Sequence, residues 1–391
     1  MKILVVCQYY YPEPVRISDI CEELVRQGHT VDVLTGVPNY PMGQIYDEYR
    51  KGNKRRETIN GVNVYRTFTI ARRSGILYRF LNYFSYAISS GNYVSKLDSD
   101  YDVVFVNQLS PVMMAEAGVK YKKKNGAKLV LYCLDLWPES LVVGGIKRGS
   151  LIYKIFDKVS KKIYHFADRI LVSSKEFVTY FDEHFDISKD KLRYLPQYAE
   201  ELFVPQERCN NDKVELTFAG NIGSAQSVET IIRAAAELKD FDNLKFNVIG
   251  DGSDLDNCKK LAKELNADNV EFYGRRPLEE MPEFYKEADA MLVSLSDDPV
   301  ISMTLPGKVQ SYMAAGKPVI GAINGEAAKI IKEAECGFCG PSGDFKKLAE
   351  NVRLFMKSDK QKLGNNSRAY YLKYFEKRVF IDTLTTELSN R

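Results

Sequence analysis

The run Thr304 to Ala322, TLPGKVQSYMAAGKPVIGA, sets a lysine where a cation is electrostatically unwelcome. Lys308 follows Pro306-Gly307 on a strand-to-helix turn, at the partly positive start of a helix. An anion held there resolves the conflict, and a diphosphate has the right charge. The alternative is a side chain that bends away into solvent at little cost. Thr304, Gly307 and Ser311 share the same turn and join Lys308 as candidate anion-site residues. Two glycine loops follow strands in the same half of the chain. In "LTFAGNIGSAQSVETIIRAA", Gly220, Asn221, Gly223 and Gln226 precede a helix, where backbone N–H groups can face an anion. Gly250 opens "GDGSD", a loop also explained by capping through Ser253 or Asp254. Arg275 ends a further strand and suits a phosphate or a base edge, or a plain surface charge.

In the first half, "YCLDLWPESL" ends a strand at Asp135, with Glu139 four residues on. A carboxylate at the carboxyl edge of a parallel sheet is a candidate general base. Capping the next short helix is the competing role. The loop "QYYYPEPVRIS" adds Glu13 as a third candidate carboxylate and Arg16 as a candidate phosphate ligand. It lacks the G-x-G-x-x-G of a dinucleotide fingerprint. Asp98-Ser99-Asp100 and Asp100-Tyr101-Asp102 have D-x-D spacing but precede a strand, so strand-boundary solvation is expected and no metal.

These residues need strands and helices to hold them. "KILVVC", "TVDVLT", "DVVFVN", "AKLVLYCLDL" and "ADRILVSS" are apolar runs separated by amphipathic helical segments. Continuous apolar strands alternating with helices imply a parallel sheet covered on both faces. A second series, "VELTFAG", "LKFNVIG", "VEFYG", "AMLVSL" and "KPVIGA", repeats the pattern. The irregular stretch 192–213 reads as the linker. The expected architecture is α/β: two Rossmann-like, doubly wound domains facing each other across a cleft. The first spans 1–198 and is rejoined by a C-terminal helix over 375–391; the second spans 199–374.

A chain of 391 residues with 45% hydrophobic content is too long for one ordinary core. A net charge of +3 makes no demand for nucleic acid, and none is expected as a partner. The seven cysteines lack framework spacing, which fits a reducing compartment. Cys336 and Cys339 form a lone C-x-x-C without further ligands nearby, so no metal is expected there. No run approaches a membrane span, and the chain starts directly on a strand, so a cytoplasmic location is expected. The segment 72–90 stands apart. Ile76, Leu77, Phe80, Leu81, Phe84 and Ile88 recur at helical spacing, flanked by Arg72, Arg73 and Arg79. Such a helix either buries its apolar face or lies on the inner face of an anionic membrane.

In order along the chain, "YYYPEPVRISDICEELVRQGHTVDVLTGVPNYPMG", "LYCLDLWPES", "TFAGNIGSAQSVETIIRAA", "IGDGS", "NVEFYGRRPLEEMPEFYKEADAMLVSL" and "LPGKVQSYMAAGKPVIGA" resemble the retaining glycosyltransferases of family 4, nearest to the branch of bacterial fucosamine transferases. The similarity covers nearly the whole chain. It implies the GT-B fold, with a nucleotide-sugar donor in the C-terminal domain, no metal or other cofactor, and retention at the anomeric carbon. It implies a base stacked near the Arg275 loop and a diphosphate among the Asn221–Gly223 loop, Lys308 and the first loop of the N-terminal half. The chain departs from the family pattern where Asn221 and Gln226 replace an Arg and a Lys, and where Met303 and Ser311 replace paired glutamates. With that Arg and Lys gone, Arg16, Arg275 and Lys308 are left to carry the donor's charge; Leu134 replaces a His before Asp135, and Asp135 is what remains of that motif.

The expected activity is sugar transfer from a nucleotide sugar, UDP-linked and carrying an N-acetylated hexosamine. The acceptor is a sugar or a polyprenyl-diphosphate-linked intermediate of bacterial surface polysaccharide. Two other roles fit the same fold: a nucleotide-sugar 2-epimerase, and a non-catalytic nucleotide-sugar-binding partner subunit.

Overall fold

The computed structural model describes residues 1–97, 100–208 and 213–390. The chain divides into two compact units, Met1–Leu195 with Ile381–Arg391, and Pro196–Phe380.

The first unit carries eight strands: β1 (Lys2–Val6), β2 (Thr30–Thr35), β3 (Arg56–Ile59), β4 (Val62–Arg66), β5 (Val103–Gln108), β6 (Lys128–Cys133), β7 (Arg169–Val172) and β8 (Leu192–Tyr194). Their order across the sheet is β3-β4-β2-β1-β5-β6-β7-β8. All neighbours are parallel except β3 and β4. Val and Ile fill the central strands, and β5 is buried along its whole length, as a sheet covered on both faces requires.

The β3–β4 hairpin was not anticipated. Its sequence cue is Asn60-Gly61, where both residues take positive φ, 49° and 84°. Of the basic stretch 50–56 only Arg56 enters a strand. The hairpin's Arg66 is buried against Glu57 at 2.8 Å.

The second unit carries β9 (Val214–Ala219), β10 (Leu244–Ile249), β11 (Val270–Gly274), β12 (Ala290–Ser294), β13 (Val319–Ala322) and β14 (Gly337–Gly340). Their order is β11-β10-β9-β12-β13-β14, all parallel. Helices cover both faces, so two apolar clusters form. One packs the helix Gly307–Ala314 against β12 and β13 side chains such as Met291 and Val319. The other packs the helix Val228–Ala236 around Phe218 and Phe246.

The domain boundary lies at 195/196, three residues before the expected one, and the first residues of the expected linker, Leu192–Tyr194, are instead strand β8 paired with β7. The last helical stretch is two helices, Lys360–Tyr374 and Lys377–Ser389. Only from Ile381 does the chain belong to the first unit. The start of the last helix stays with the second unit because Phe380 packs on Tyr198 at 5.0 Å and Lys377 pairs with Glu201. Its far end is fastened to the first sheet by Glu387, which accepts from Arg169 through both oxygens at 2.6 and 3.1 Å. Asp98 and Ser99 of the D-x-D runs lie outside the described residues. Asp102 caps the sheet's amino edge, accepting from the Lys2 N–H at 2.7 Å.

Glu387 is nearly buried, so its replacement strands two guanidinium donors. Glu387→Gln is expected to lower the stability of the first unit by about 1.5–3 kcal/mol, the range for hydrogen bonds to charged groups, in urea unfolding.

Candidate functional site

In each sheet the chain leaves a central strand in opposite directions, and ligand crevices form beyond the strand carboxyl ends at such a switch. In the first unit the switch lies between β1 and β5. A cavity of about 460 Å³ opens there. Its wall includes Tyr9 and Val15 from the loop after β1, Tyr40 after β2, Ser110 after β5, and Asp135 and Trp137 after β6. Arg72, Arg79, Phe80 and Tyr83 complete one side.

Asp135 is brought to this wall, as expected. One oxygen accepts from the Ser110 N–H at 2.8 Å. Ser110 in turn accepts from the Trp137 indole N–H at 2.9 Å. The next helix, Glu139–Val143, starts after Pro138 with no side-chain cap, so Asp135 does not play the capping role. Burial pushes the Asp135 carboxyl above its ordinary value, while hydrogen bonding from Ser110 and the Arg72 charge oppose the shift. A half-enclosed carboxylate with an open lone pair and a raised pKa is suited to take a proton.

The other two carboxylates are corrected by their surroundings. Glu139 is buried away from the cavity wall. One oxygen accepts from the Tyr153 and Tyr180 hydroxyls at 2.8 and 3.0 Å, and the other from Arg148 at 2.6 Å. Burial raises its pKa, but those hydrogen bonds outweigh burial and the net shift is downward. It is an anchored structural anion, with no lone pair left for a substrate. Glu13 accepts from three backbone N–H groups, those of Tyr10, Asn39 and Tyr40. It ties the first loop to the loop after β2, both of which supply cavity residues. Desolvation dominates there and lifts the Glu13 carboxyl to about 7.

Sequence reasoning missed the residues that fix the cavity's shape. Asn82 lies under it and accepts from Gln8 and Tyr9 at 2.6 and 3.3 Å. Asn39 accepts from the Arg72 backbone N–H at 2.9 Å, and the Arg72 guanidinium lies over the Tyr40 and Tyr83 rings. Polar side chains spread over 75 residues give no local signal. Arg16, the expected phosphate ligand, precedes the helix Ile17–Arg26 without capping it through its side chain and is not part of the cavity wall.

In the second unit the switch lies between β9 and β12. Lys308 is the second residue of the helix Gly307–Ala314, as expected, but the turn before it follows a short helix, Pro299–Ser302, and not a strand. It does not bend into solvent. The residue is part-exposed along its stem, yet its Nζ is enclosed and has no hydrogen-bond partner. The ammonium sits over the Phe218 ring at 3.9 Å, and a Cβ built on Gly220 would lie 2.8 Å from it. Desolvation lowers its pKa from 10.5 to about 7. A lone cation enclosed beside a glycine loop carries a desolvation cost that a bound anion would offset.

The glycine loops brace each other. Gly250 has φ +144°, and a Cβ there would fall 1.8 Å from the Gly220 carbonyl oxygen. A Cβ on Gly252 would meet the Ile222 carbonyl at 2.2 Å. Close backbone approach, rather than capping by Ser253 or Asp254, explains that loop; the following helix has no side-chain cap. Asn221 and Gln226 bond one another at 2.9 Å above Gly223. Thr304 turns back onto the Ile301 carbonyl. Arg275 is exposed beyond the end of β11. Ser311 lies one turn along from Lys308 and donates at 3.4 Å to Glu200, a linker carboxylate that the sequence did not single out.

Residues 15–197 match the family described as Glycosyltransferase Family 4, and residues 200–370 match Glycosyl transferases group 1. The chain is a family 4-type glycosyltransferase. The Pseudomonas aeruginosa protein named "Probable glycosyltransferase WbjE" is 28% identical over 270 residues, 66% of this chain and 67% of that one. Escherichia coli K12 WcaI, a glycosyl transferase named for colanic acid biosynthesis, is 25% identical over 342 residues, 81% and 82% of the two chains. Among solved structures, Anabaena HepE in complex with UDP superposes with a TM-score of 0.73 at 14% identity, covering 100% of both chains. These likenesses agree with the GT-B fold: two parallel-sheet α/β units in one chain.

Two stability measurements follow from this glycosyltransferase's second unit. Gly250→Ala adds a clash on top of a positive φ and is expected to destabilise by more than about 1 kcal/mol in chemical unfolding. Lys308→Met is expected to stabilise the ligand-free protein by roughly 1–3 kcal/mol. The unfolded lysine titrates near 10.5 and the folded one near 7, so the folded state binds fewer protons between those values. The Lys308 penalty is therefore complete below pH 7 and fades toward pH 10.5. The gain from Met should shrink over the same window, and a pH-independent gain would contradict the assignment.

Proposed function

We propose that the protein transfers a sugar, with retention, from a nucleotide-sugar donor held in the second unit to a hydroxyl held in the first-unit cavity. The observation that carries this reading is the enclosed, unpartnered Lys308 ammonium between the Gly220 loop and a helix start. The donor's diphosphate neutralises both the lysine and the helix end; the Ile222 N–H is taken by the Asp251 carbonyl, so the Asn221 and Gly223 N–H groups and that of an exposed Gly307 are the ones that would meet the same oxygens. As the anomeric C–O bond breaks, charge develops on the leaving diphosphate, where Lys308 stabilises it without a metal ion. Asp135 orients the acceptor hydroxyl and takes its proton as the new C–O bond forms.

The donor is UDP-linked and carries an N-acetylated hexosamine in this reading, in line with the fucosamine-transferase resemblance; HepE, of like fold, holds UDP. The acceptor is a sugar or a polyprenyl-diphosphate-linked sugar of a bacterial surface polysaccharide, a setting suggested by the name of WcaI.

The decisive experiment offers a panel of nucleotide sugars with and without membrane lipid extract, following nucleoside diphosphate release and glycosylated lipid by mass spectrometry. Transfer is expected from a UDP-sugar. Asp135→Asn should cut kcat about 10²–10⁴-fold while leaving donor affinity within a few-fold. Product formed without acceptor would favour an epimerase, and tight donor binding without turnover a binding subunit.

Lys308 also sets a pH dependence. A diphosphate favours the protonated amine, so donor affinity should weaken as pH rises above about 7, with proton uptake on binding near neutrality. Calorimetry in two buffers of different ionisation enthalpy reads that uptake. Lys308→Met should abolish it and flatten the profile.

A further inference from the structure

The helix Ile76–Ser95 exposes an apolar face. Asn82, Tyr86, Ser90 and Val94 face the protein and are fully buried, with Tyr83 nearly so. Leu77, Leu81, Phe84 and Ile88, spaced 4-3-4 on the opposite face, are 69%, 38%, 45% and 59% exposed. A soluble helix normally does the reverse. Here the buried side meets a polar network, with Asn82 bonded to Gln8 and to the Ile70 carbonyl and Tyr86 to the Cys7 carbonyl. The apolar stripe is thus not a core face in disguise, and nothing among the described residues covers it.

A second apolar patch borders the same cavity. Val143 ends the short helix Glu139–Val143, and Leu151, Ile152 and Ile155 start the helix Leu151–Phe166; all are 46% or more exposed. The cavity wall joins the two patches, with Arg79 and Phe80 from one side and Leu141, Gly144 and Ile146 from the other.

Charge decides what covers this surface. Residues 58–97 contain no Asp or Glu. Arg73 and Arg79 flank the first patch, and Lys147, Lys154 and Lys158 flank the second, all exposed. The acid on that stretch of the second helix, Asp157, is taken by His184 at 2.7 Å. A second copy of this chain, docked face to face, would set these cations against their own counterparts with no acid to compensate. A bilayer with anionic headgroups matches both components: aliphatic and aromatic side chains enter the acyl boundary, and the Arg and Lys side chains meet the phosphates.

We propose that the two patches form a docking surface for an anionic phospholipid bilayer, with the cavity opening at the membrane. This deepens the acceptor reading above and rests on it in one respect only, that a lipid-linked acceptor then reaches Asp135 from the bilayer. Docking itself does not depend on catalysis.

The full chain is sedimented with vesicles of phosphatidylcholine alone and of equal parts phosphatidylcholine and phosphatidylglycerol. Binding is expected on the anionic vesicles, weakening as salt is raised. Phe84→Ser/Ile88→Ser and Ile152→Ser/Ile155→Ser remove exposed side chains outside the cavity wall. Each pair should lower the partition coefficient about tenfold or more with an unchanged unfolding midpoint. No binding to anionic vesicles, or unchanged binding by both variants, overturns the proposal. So does a dimer of the wild type that Phe84→Ser/Ile88→Ser converts to monomer in sedimentation velocity. Turnover with a water-soluble acceptor is measured in parallel. Docking without turnover would strike the transferase reading alone, and turnover without docking the present one alone.

Discussion

β1 and β9 are the strands from which each half of the chain departs in opposite directions. A right-handed crossover to one side and a later return to the other leave the carboxyl ends of these strands uncovered by either helix layer. The loops that follow them must then stand beside the loops after β5 and β12. In the first unit this gathers Tyr9, Ser110 and Asp135 around one cavity. In the second it brings Gly220 next to Lys308, 88 positions apart in sequence. The chemistry of both halves hangs on that single topological constraint.

Within this frame, charged groups divide by what meets them. Lys317 and Lys308 lie nine residues apart, and burial depresses both. Lys317 donates to the Lys286 and Ala288 carbonyls at 2.9 Å each, so it closes a turn and is finished. Lys308 has only the Phe218 ring beneath it. The carboxylates divide the same way. Glu139 and Glu13 spend their lone pairs on protein donors, whereas Asp135 keeps part of its capacity toward the cavity. An enclosed group with an unspent bond carries a cost, and a cost of this kind persists where a ligand repays it.

Much of the fold was legible in the chain because buried parallel strands are nearly continuous apolar runs. TVDVLT is β2 residue for residue, and Lys308 falls on the helix start that the Pro-Gly turn announces. The β3–β4 hairpin escaped notice because its alternating, charged residues sit at a sheet edge, where one face stays wet. The helix Ile76–Ser95 shows a deeper limit. Its periodicity revealed two faces but not which one the protein would claim.

The sequence by itself determined the two α/β halves, the glycine loops, the place of Asp135 at a strand end and that of Lys308 at a helix start. Local pattern suffices there, since strand length, turn chemistry and apolar period are properties of neighbouring residues. The tertiary structure alone decided that Glu139 and Glu13 are anchors, that the Lys308 ammonium turns inward, and that an apolar helix face points outward. Each depends on partners from distant segments: Arg148 with Tyr180, the Asn39 loop, Phe218 with Gly220, and Gln8 with Asn82. No period or motif encodes such meetings, because the bond that decides a side chain's role forms only when the sheet brings its partner alongside.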